Sequence, residues 1–291
     1  MANTIFGQVE IDILPAFRDT LINHFGASIQ LTDFSENQVA ATMINKWVER
    51  VTREKIRDII QPDLLDPLTK LVLVNAIYFM GEWSNKFNIR NTENLDFHLV
   101  DGSSVSAPMM SHTKNYQVAK IKNLDAAMIE LPYKGERIVM QILLPKKTGG
   151  LRELEGKLKA EDLEDLFQEK KKEMKVELFL PRFKLEQTIP LASCLKQLGM
   201  ENMFVEGQAD FCGIDGSKDL FISAVIQKAA IVVTEEGSEA AAATGKVKCG
   251  CLPPKEVPAM EFRIDHPFLF FLRDSLTGMM LFQGRVENPT V

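Results

Sequence analysis

The run KLVLVNAIYF, residues 70–79, places the tightest limit on how this 291-residue chain can fold. From Leu71 to Phe79 only Asn75 interrupts the apolar series. A strand with one wet face alternates apolar and polar residues. A strand covered on both faces reads as a near-continuous apolar run, so this segment is expected at the centre of a sheet. A central strand needs paired neighbours and covering layers. A chain of this length, 45% hydrophobic and 25% charged, can supply them as one large domain or two modest ones.

The rest of the chain mixes helical and strand periods. Residues 9–25 read as an amphipathic helix, with Pro15 in the first turn, Leu14, Phe17, Leu21, Ile22 and Phe25 on one stripe, and Gly26 as the stop. SIQLTDF (28–34) alternates like a strand. Residues 37–51 return to helical period, with Val39, Met43, Trp47, Val48 and Val51 on one face. Residues 126–144 give two strands joined by a turn at Gly135. Residues 151–173 read as a charged helical region. Residues 175–187 are strand-rich with Pro181 at a bend or edge, and a helix is expected at 190–198. Residues 219–233 read as strand, short helix, strand, and the C-terminal part as two or three strands with a turn near Ser275 to Gly278. Strands and helices do not alternate regularly, which favours α+β with large sheets over a parallel βαβ architecture.

Several function classes fall away. Net charge is −6, and the one basic run, Lys170 to Lys172, is flanked by Glu169 and Glu173, so no nucleic-acid footprint is expected. No apolar run reaches the roughly 20 residues of a membrane helix, and no leader with a cleavage site is visible at the start. Cys194, Cys212, Cys249 and Cys251 are too few for a disulfide scaffold. Cys249 and Cys251 lack the CxxC spacing and a second cluster, so no metal and no cofactor is expected. GxSxG and HExxH are absent, and His24, His98, His112 and His266 are scattered. ATGKV lacks the upstream glycine and the Ser or Thr of a phosphate loop. Carboxylate pairs such as Glu235–Glu236 are unremarkable among 40 acidic residues. A conventional enzyme is not the expected reading.

One stretch fits none of these patterns. After the β-forming Ala229–Val233 comes TEEGSEAAAATGKVKCGCLPP, Thr234 to Pro254, rich in small residues and with four consecutive alanines. Taken alone it reads as an alanine-rich solvated helix or a flexible linker, although propensity is a weak guide.

Set beside four other segments, it resembles the reactive-loop hinge of the serpins, a family of protease inhibitors. LVLVNAIYFMGEW (71–83) is similar to the family's central strand and the top of its main sheet. LPRFKLEQTIPLASCLKQLGMENMF (180–204) is similar to its middle segment. FRIDHPFLFFL (262–272) and GMMLFQGRVENP (278–289) are similar to its C-terminal signature and last strand. These segments follow the family's order over essentially the whole chain. The ovalbumin-like branch with leukocyte elastase inhibitor, or an invertebrate relative, is nearest in flavour.

The resemblance implies a single serpin domain over 1–291, with a large central mixed sheet, smaller sheets, packed helices and an exposed reactive-centre loop at 235–261. It implies a suicide-substrate inhibitor whose partner is a serine, or alternatively a cysteine, protease held in a covalent complex. The cut segment must enter the sheet as a strand, and bulky side chains there would overpack it at about 1–3 kcal/mol each. Glu235, Glu236, Gly237, Ser238, Glu239, Ala240, Ala241, Ala242, Ala243 and Thr244 form the implied hinge. Counting from Gly237 puts the cut between Cys251 and Leu252, which suits a chymotrypsin- or elastase-like target. Lys248 and Lys255 are the alternatives for a trypsin-like one, because the segment Leu252–Asp265 is longer than in relatives. Asn75 and Gln227 are implied at the gate between the parting strands, where many inhibitory members have a histidine in place of Gln227. Arg182, paired with Glu235, and Trp83 are implied at the top of the sheet.

The resemblance also aligns Met1 with the second strand of the main sheet, so the helices that precede it in typical members, roughly the first quarter, are expected to be lacking, leaving apolar surface to be covered. A non-inhibitory binding module and a non-functional truncated product are the competing expectations. By family the extracellular space is expected, with the cytoplasm as the alternative. A monomer is expected if the fold is complete.

Overall fold

A computed structural model of the chain describes residues 2–159, 161, 163–237 and 258–290. In chain order the strands and helices are β1 (Ala2–Gln8), α1 (Pro15–Phe25), β2 (Ser28–Thr32), α2 (Asn37–Val51), β3 (Leu71–Phe79), β4 (Glu93–His98), β5 (Ser104–Ile121), β6 (Ala126–Pro132) and β7 (Ile138–Pro145). There follow α3 (Leu151–Lys157), α4 (Leu163–Gln168), β8 (Lys172–Pro181), β9 (Phe183–Pro190), α5 (Ala192–Gln197), α6 (Cys212–Asp215), β10 (Ile222–Val233), β11 (Met260–Arg263), β12 (Phe268–Asp274) and β13 (Met280–Val286). Contacts gather into two compact units, Met1–Phe79 with Glu186–Ile231, and Met80–Leu185 with Val232–Val291.

The first unit is built on a mixed sheet of order β2-β1-β3-β10-β9. β3 is central as expected, antiparallel to β1 and parallel to β10, but only one of its faces is buried: Leu73, Asn75, Ile77 and Phe79 on the other are half-buried. Successive side chains of β3 point to opposite faces, and Val72, Val74 and Ala76 pack with Phe6, Ile44, Trp47 and Val48 in one buried core. Helix α2 supplies much of that core, but not with the face that period alone suggests. Ala40, Ala41, Ile44, Trp47 and Val48 are buried, whereas Val39 and Val51 are 64% and 41% exposed. The two alanines let the helix backbone lie close to its partners, so the small-residue stripe turns inward and the Val39 stripe turns outward.

Two further expectations for this unit need correction. The helix expected at 9–25 begins only at Pro15, and Ile11 and Ile13 are buried as extended chain beside Leu71, Ile214 and Leu220. Leu21 is the buried member of its stripe, while Ile22 and Phe25 face solvent. The strand–helix–strand expected at 219–233 is one strand, β10, paired with β3 from Ile222 to Ile231 with a bulge between Ile222 and Ala224. Lys228 and its alanines suggest helix locally. Pairing overrides them, because the Lys228 ammonium finds the Arg57 carbonyl at 2.5 Å and Glu186 at 3.4 Å.

The second unit carries an eight-stranded sheet, order β11-β8-β5-β6-β7-β12-β13, with β4 also paired to β5. The 18-residue β5 serves both β4 and β6 along its length and runs beside β8. The turn between β6 and β7 contains Gly135 at φ +87°, as its glycine suggests. The region 151–173 is two short helices and the start of β8 rather than one helical stretch. Leu151, Leu154, Leu166 and Phe167 of those helices pack on Leu143, Leu269 and Phe271.

Candidate functional site

Strand β10 runs out of the first unit at Ile231, and its continuation in the second unit is held at residue after residue. The Trp83 indole N–H donates to the Thr234 carbonyl at 2.9 Å. The Phe87 amide donates to the Glu235 carbonyl and the Trp83 amide to the Glu236 carbonyl, both at 2.9 Å. The Gly237 carbonyl accepts from the Thr234 amide at 2.7 Å and from the Thr234 hydroxyl at 2.8 Å. Four successive carbonyls are therefore occupied, which fixes the path of the backbone before residue 238.

The side chains add to this hold. Glu235 is buried, accepts from the Thr92 hydroxyl at 2.7 Å and lies 3.6 Å from Arg182. A buried carboxylate needs such partners, since an unpaired one would be strongly penalised. Glu236 takes the Lys86 ammonium at 2.5 Å, a bond that raises the Lys86 pKa. Trp83 is itself buried and stacks on Tyr133 with ring centroids 4.3 Å apart.

Gly237 is the residue this arrangement cannot replace. Its φ is +118°, and a Cβ there would collide with the Gly81 carbonyl and lie 2.7 Å from the Trp83 nitrogen. The turn closes directly on the 81–83 backbone, which leaves no room for a side chain.

Behind the clamp sits a group that sequence reasoning did not single out. The His112 ring stacks on Phe87 at 4.0 Å, and its nitrogens face the Tyr116 hydroxyl at 2.6 Å and the Lys86 carbonyl at 3.3 Å. Burial lowers the His112 pKa to about 4, against the opposing pull of the Lys86 carbonyl, so the ring is neutral near pH 7. Phe87, Thr92 and Lys86 also went unnoticed. Nothing in their local sequence signals that their backbone and side chains meet residues 143 to 150 positions away.

The expected gate pair lies in the first unit. Gln227 of β10 stands opposite Asn75 of β3 in register, and the Asn75 amide donates to Asn3 of β1. Ser238, Glu239, Ala240, Ala241, Ala242, Ala243, Thr244, Lys248, Cys251, Leu252 and Lys255 lie outside the described residues. Cys194 and Cys212 are free and exposed. Among the described residues no helix is long and apolar enough to cross a membrane.

Comparison with known proteins decides the family. The serpin (serine protease inhibitor) family model matches residues 1–289. The chain belongs to the serpin family. It is 37% identical to human leukocyte elastase inhibitor over 295 residues, covering 99% of this chain and 77% of that protein. It is 39% identical to human Serpin B3 over 291 residues, covering 99% of this chain and 74% of that one. A solved structure of Serpin48, described as a highly specific serpin of the insect Tenebrio molitor, matches with TM-score 0.85 and 36% identity, over 99% of this chain and 75% of that chain. The two sheets described above are thus those of a serpin fold.

Proposed function

We propose that this serpin, acting as one unit over 1–291, is a suicide-substrate inhibitor of serine endopeptidases with chymotrypsin- or elastase-like pockets. The reactive-centre loop spans 235–261, with the bond Cys251–Leu252 as bait. A target serine attacks the Cys251 carbonyl, the Leu252 amine leaves, and an ester joins the two proteins. The cut segment then enters the five-stranded sheet beside β3 and β10. The pull this exerts on the protease takes its oxyanion hole out of geometry, and hydrolysis of the ester stops.

The observation that carries this reading is the clamp on Thr234–Gly237, followed by Ser238, Glu239 and four alanines. A loop meant to travel needs one fixed end and a small-residue stretch next to it. The fixed end is a glycine turn with every carbonyl bonded, and beyond it Glu239 is the one long side chain before four alanines.

Incubation with chymotrypsin, elastase, trypsin and a papain-like cysteine protease tests it directly. An SDS-stable covalent complex with chymotrypsin or elastase is expected, with mass spectrometry of the released C-terminal peptide showing Leu252 as its first residue. A complex with trypsin and cleavage after Lys248 or Lys255 would move the bait residue. Turnover of the loop with no complex would sink the inhibitor reading in favour of a non-inhibitory role.

A further inference from the structure

We propose that the open groove between α2 and β2 is a binding site for a small arylalkanoic acid, separate from the protease-directed loop. The groove has a volume of about 590 Å³, within the usual range of small-molecule sites, and all its lining comes from residues 30–50 of the first unit. Val39, Met43, Lys46 and Arg50 follow one another at helical spacings of four, three and four, so they share one stripe of α2. This is the stripe that the inward turn of Ala40, Ala41 and Ile44 leaves outside. The groove is therefore divided by chemistry along its length. Toward the start of the helix it presents Val39 and Met43, flanked by Gln38 and Thr42; Trp47 lies level with Lys46, and Arg50 stands about one turn further on.

The cations are what select the ligand. Among the described residues neither Lys46 nor Arg50 has an ion-pair partner, although two carboxylates lie close by in sequence. Glu49 and Glu54 are both turned to Arg57, at 3.0 and 3.6 Å. Arg53 lies beside the same end together with Glu49 and Glu54, so with both carboxylates engaged by Arg57 the balance of charge there is positive. A carboxylate suits this pair, since the guanidinium fork donates two parallel N–H bonds to it and the ammonium supplies charge. The apolar end favours an aromatic body, because the Met43 thioether and Trp47 both make favourable contacts with rings. Gln30, from β2, offers an amide to the rim opposite the helix.

The test is calorimetric titration of the full chain with 1-naphthylacetate at low salt, with 1-naphthaleneethanol as a neutral ligand of similar shape. One-to-one binding with Kd below about 1 mM is expected, a modest affinity for a ligand of this size. The alcohol should bind at least tenfold more weakly, and K46Q/R50Q should weaken the acid at least tenfold while leaving circular dichroism and complex formation with protease unchanged. Should the double variant misfold, Lys46→Gln alone should still weaken binding at least threefold. The proposal is overturned by absence of saturable binding, by equal affinity for acid and alcohol, or by unchanged affinity in a folded charge variant. Because protease trapping is read separately, its failure would leave this result standing.

Discussion

Replacing Gly237 by alanine tests whether the Thr234–Gly237 turn is held by geometry that only glycine allows. The cost has two parts, and the structure contains a residue that separates them. At Gly135, φ is +87° and a Cβ would meet nothing within 4 Å, so Gly135→Ala pays for the unfavourable backbone conformation alone, about 1 kcal/mol. At Gly237, φ is +118° and the added Cβ collides with the Gly81 carbonyl and crowds the Trp83 amide. The turn must retreat from residues 81–83. That movement gives up the Trp83 amide bond to Glu236 and strains the Phe87 amide bond to Glu235, at about 1 kcal/mol net for each. Gly237→Ala should therefore cost about 3–4 kcal/mol. With an m-value of about 3 kcal/mol/M this lowers the urea midpoint by about 1 M, against about a third of that for Gly135→Ala. In a Trp47→Phe background Trp83 is the sole tryptophan, and it is bonded to Thr234, so its fluorescence follows the clamp itself. A midpoint shift for Gly237→Ala no larger than that of Gly135→Ala would refute the reasoning.

Three further outcomes are expected. Glu235→Ala should cost about 2–3 kcal/mol in urea unfolding, because it strands Thr92 and Arg182 together, whereas Glu235→Gln, which still accepts from Thr92, should cost about half as much. His112 has a folded pKa of about 4 against an ordinary 6.5, so its neutral form contributes stability that is complete above pH 6.5 and is lost as pH falls toward 4; urea midpoints at pH 7.5 and 4.5 should show the wild type losing about 2 kcal/mol more than His112→Gln. His266 shifts the other way: burial lowers its pKa, but the bonds to Asp265 at 2.8 Å and to the Pro145 carbonyl at 2.7 Å outweigh it and raise the value, so its contribution is complete below pH 6.5 and is lost as pH rises through the folded pKa, which midpoints for wild type and His266→Gln between pH 5 and 9 will reveal.

Parts of the fold that rest on strong local signals were legible in the sequence. The apolar run interrupted only by Asn75 became the central β3, Gly135 marked a real turn, and the bounds of α2 agreed with its period. What the sequence hid were choices between similar local options. Helix α2 carries two apolar stripes about 100° apart, Val39–Met43–Trp47 and Ala40–Ile44–Trp47–Val48, and only the closeness of approach to the sheet decides for the smaller one. Strand β5 escaped notice because SAPMMSHTKNY neither alternates cleanly nor forms an apolar run. It exists because β4, β6 and β8 all pair with it.

The clamp was half legible for a related reason. Glu235, Arg182 and Trp83 could be named only through the resemblance to the serpins, and their side chains do meet in the clamp. The larger share of the hold comes from amides of Trp83 and Phe87 on the carbonyls of Glu236 and Glu235, and any residue but proline carries an amide. Such a contact leaves one kind of trace, a position where a side chain cannot fit. Gly237 is that trace. Its meaning is therefore twofold, since the same absence of a side chain that lets the turn close on residues 81–83 also opens the stretch of small residues that follows. If the inhibitor reading holds, anchor and moving segment meet at one residue, and any substitution there should impair both stability and trapping, whereas substitutions among Ala240–Ala243 should impair trapping alone.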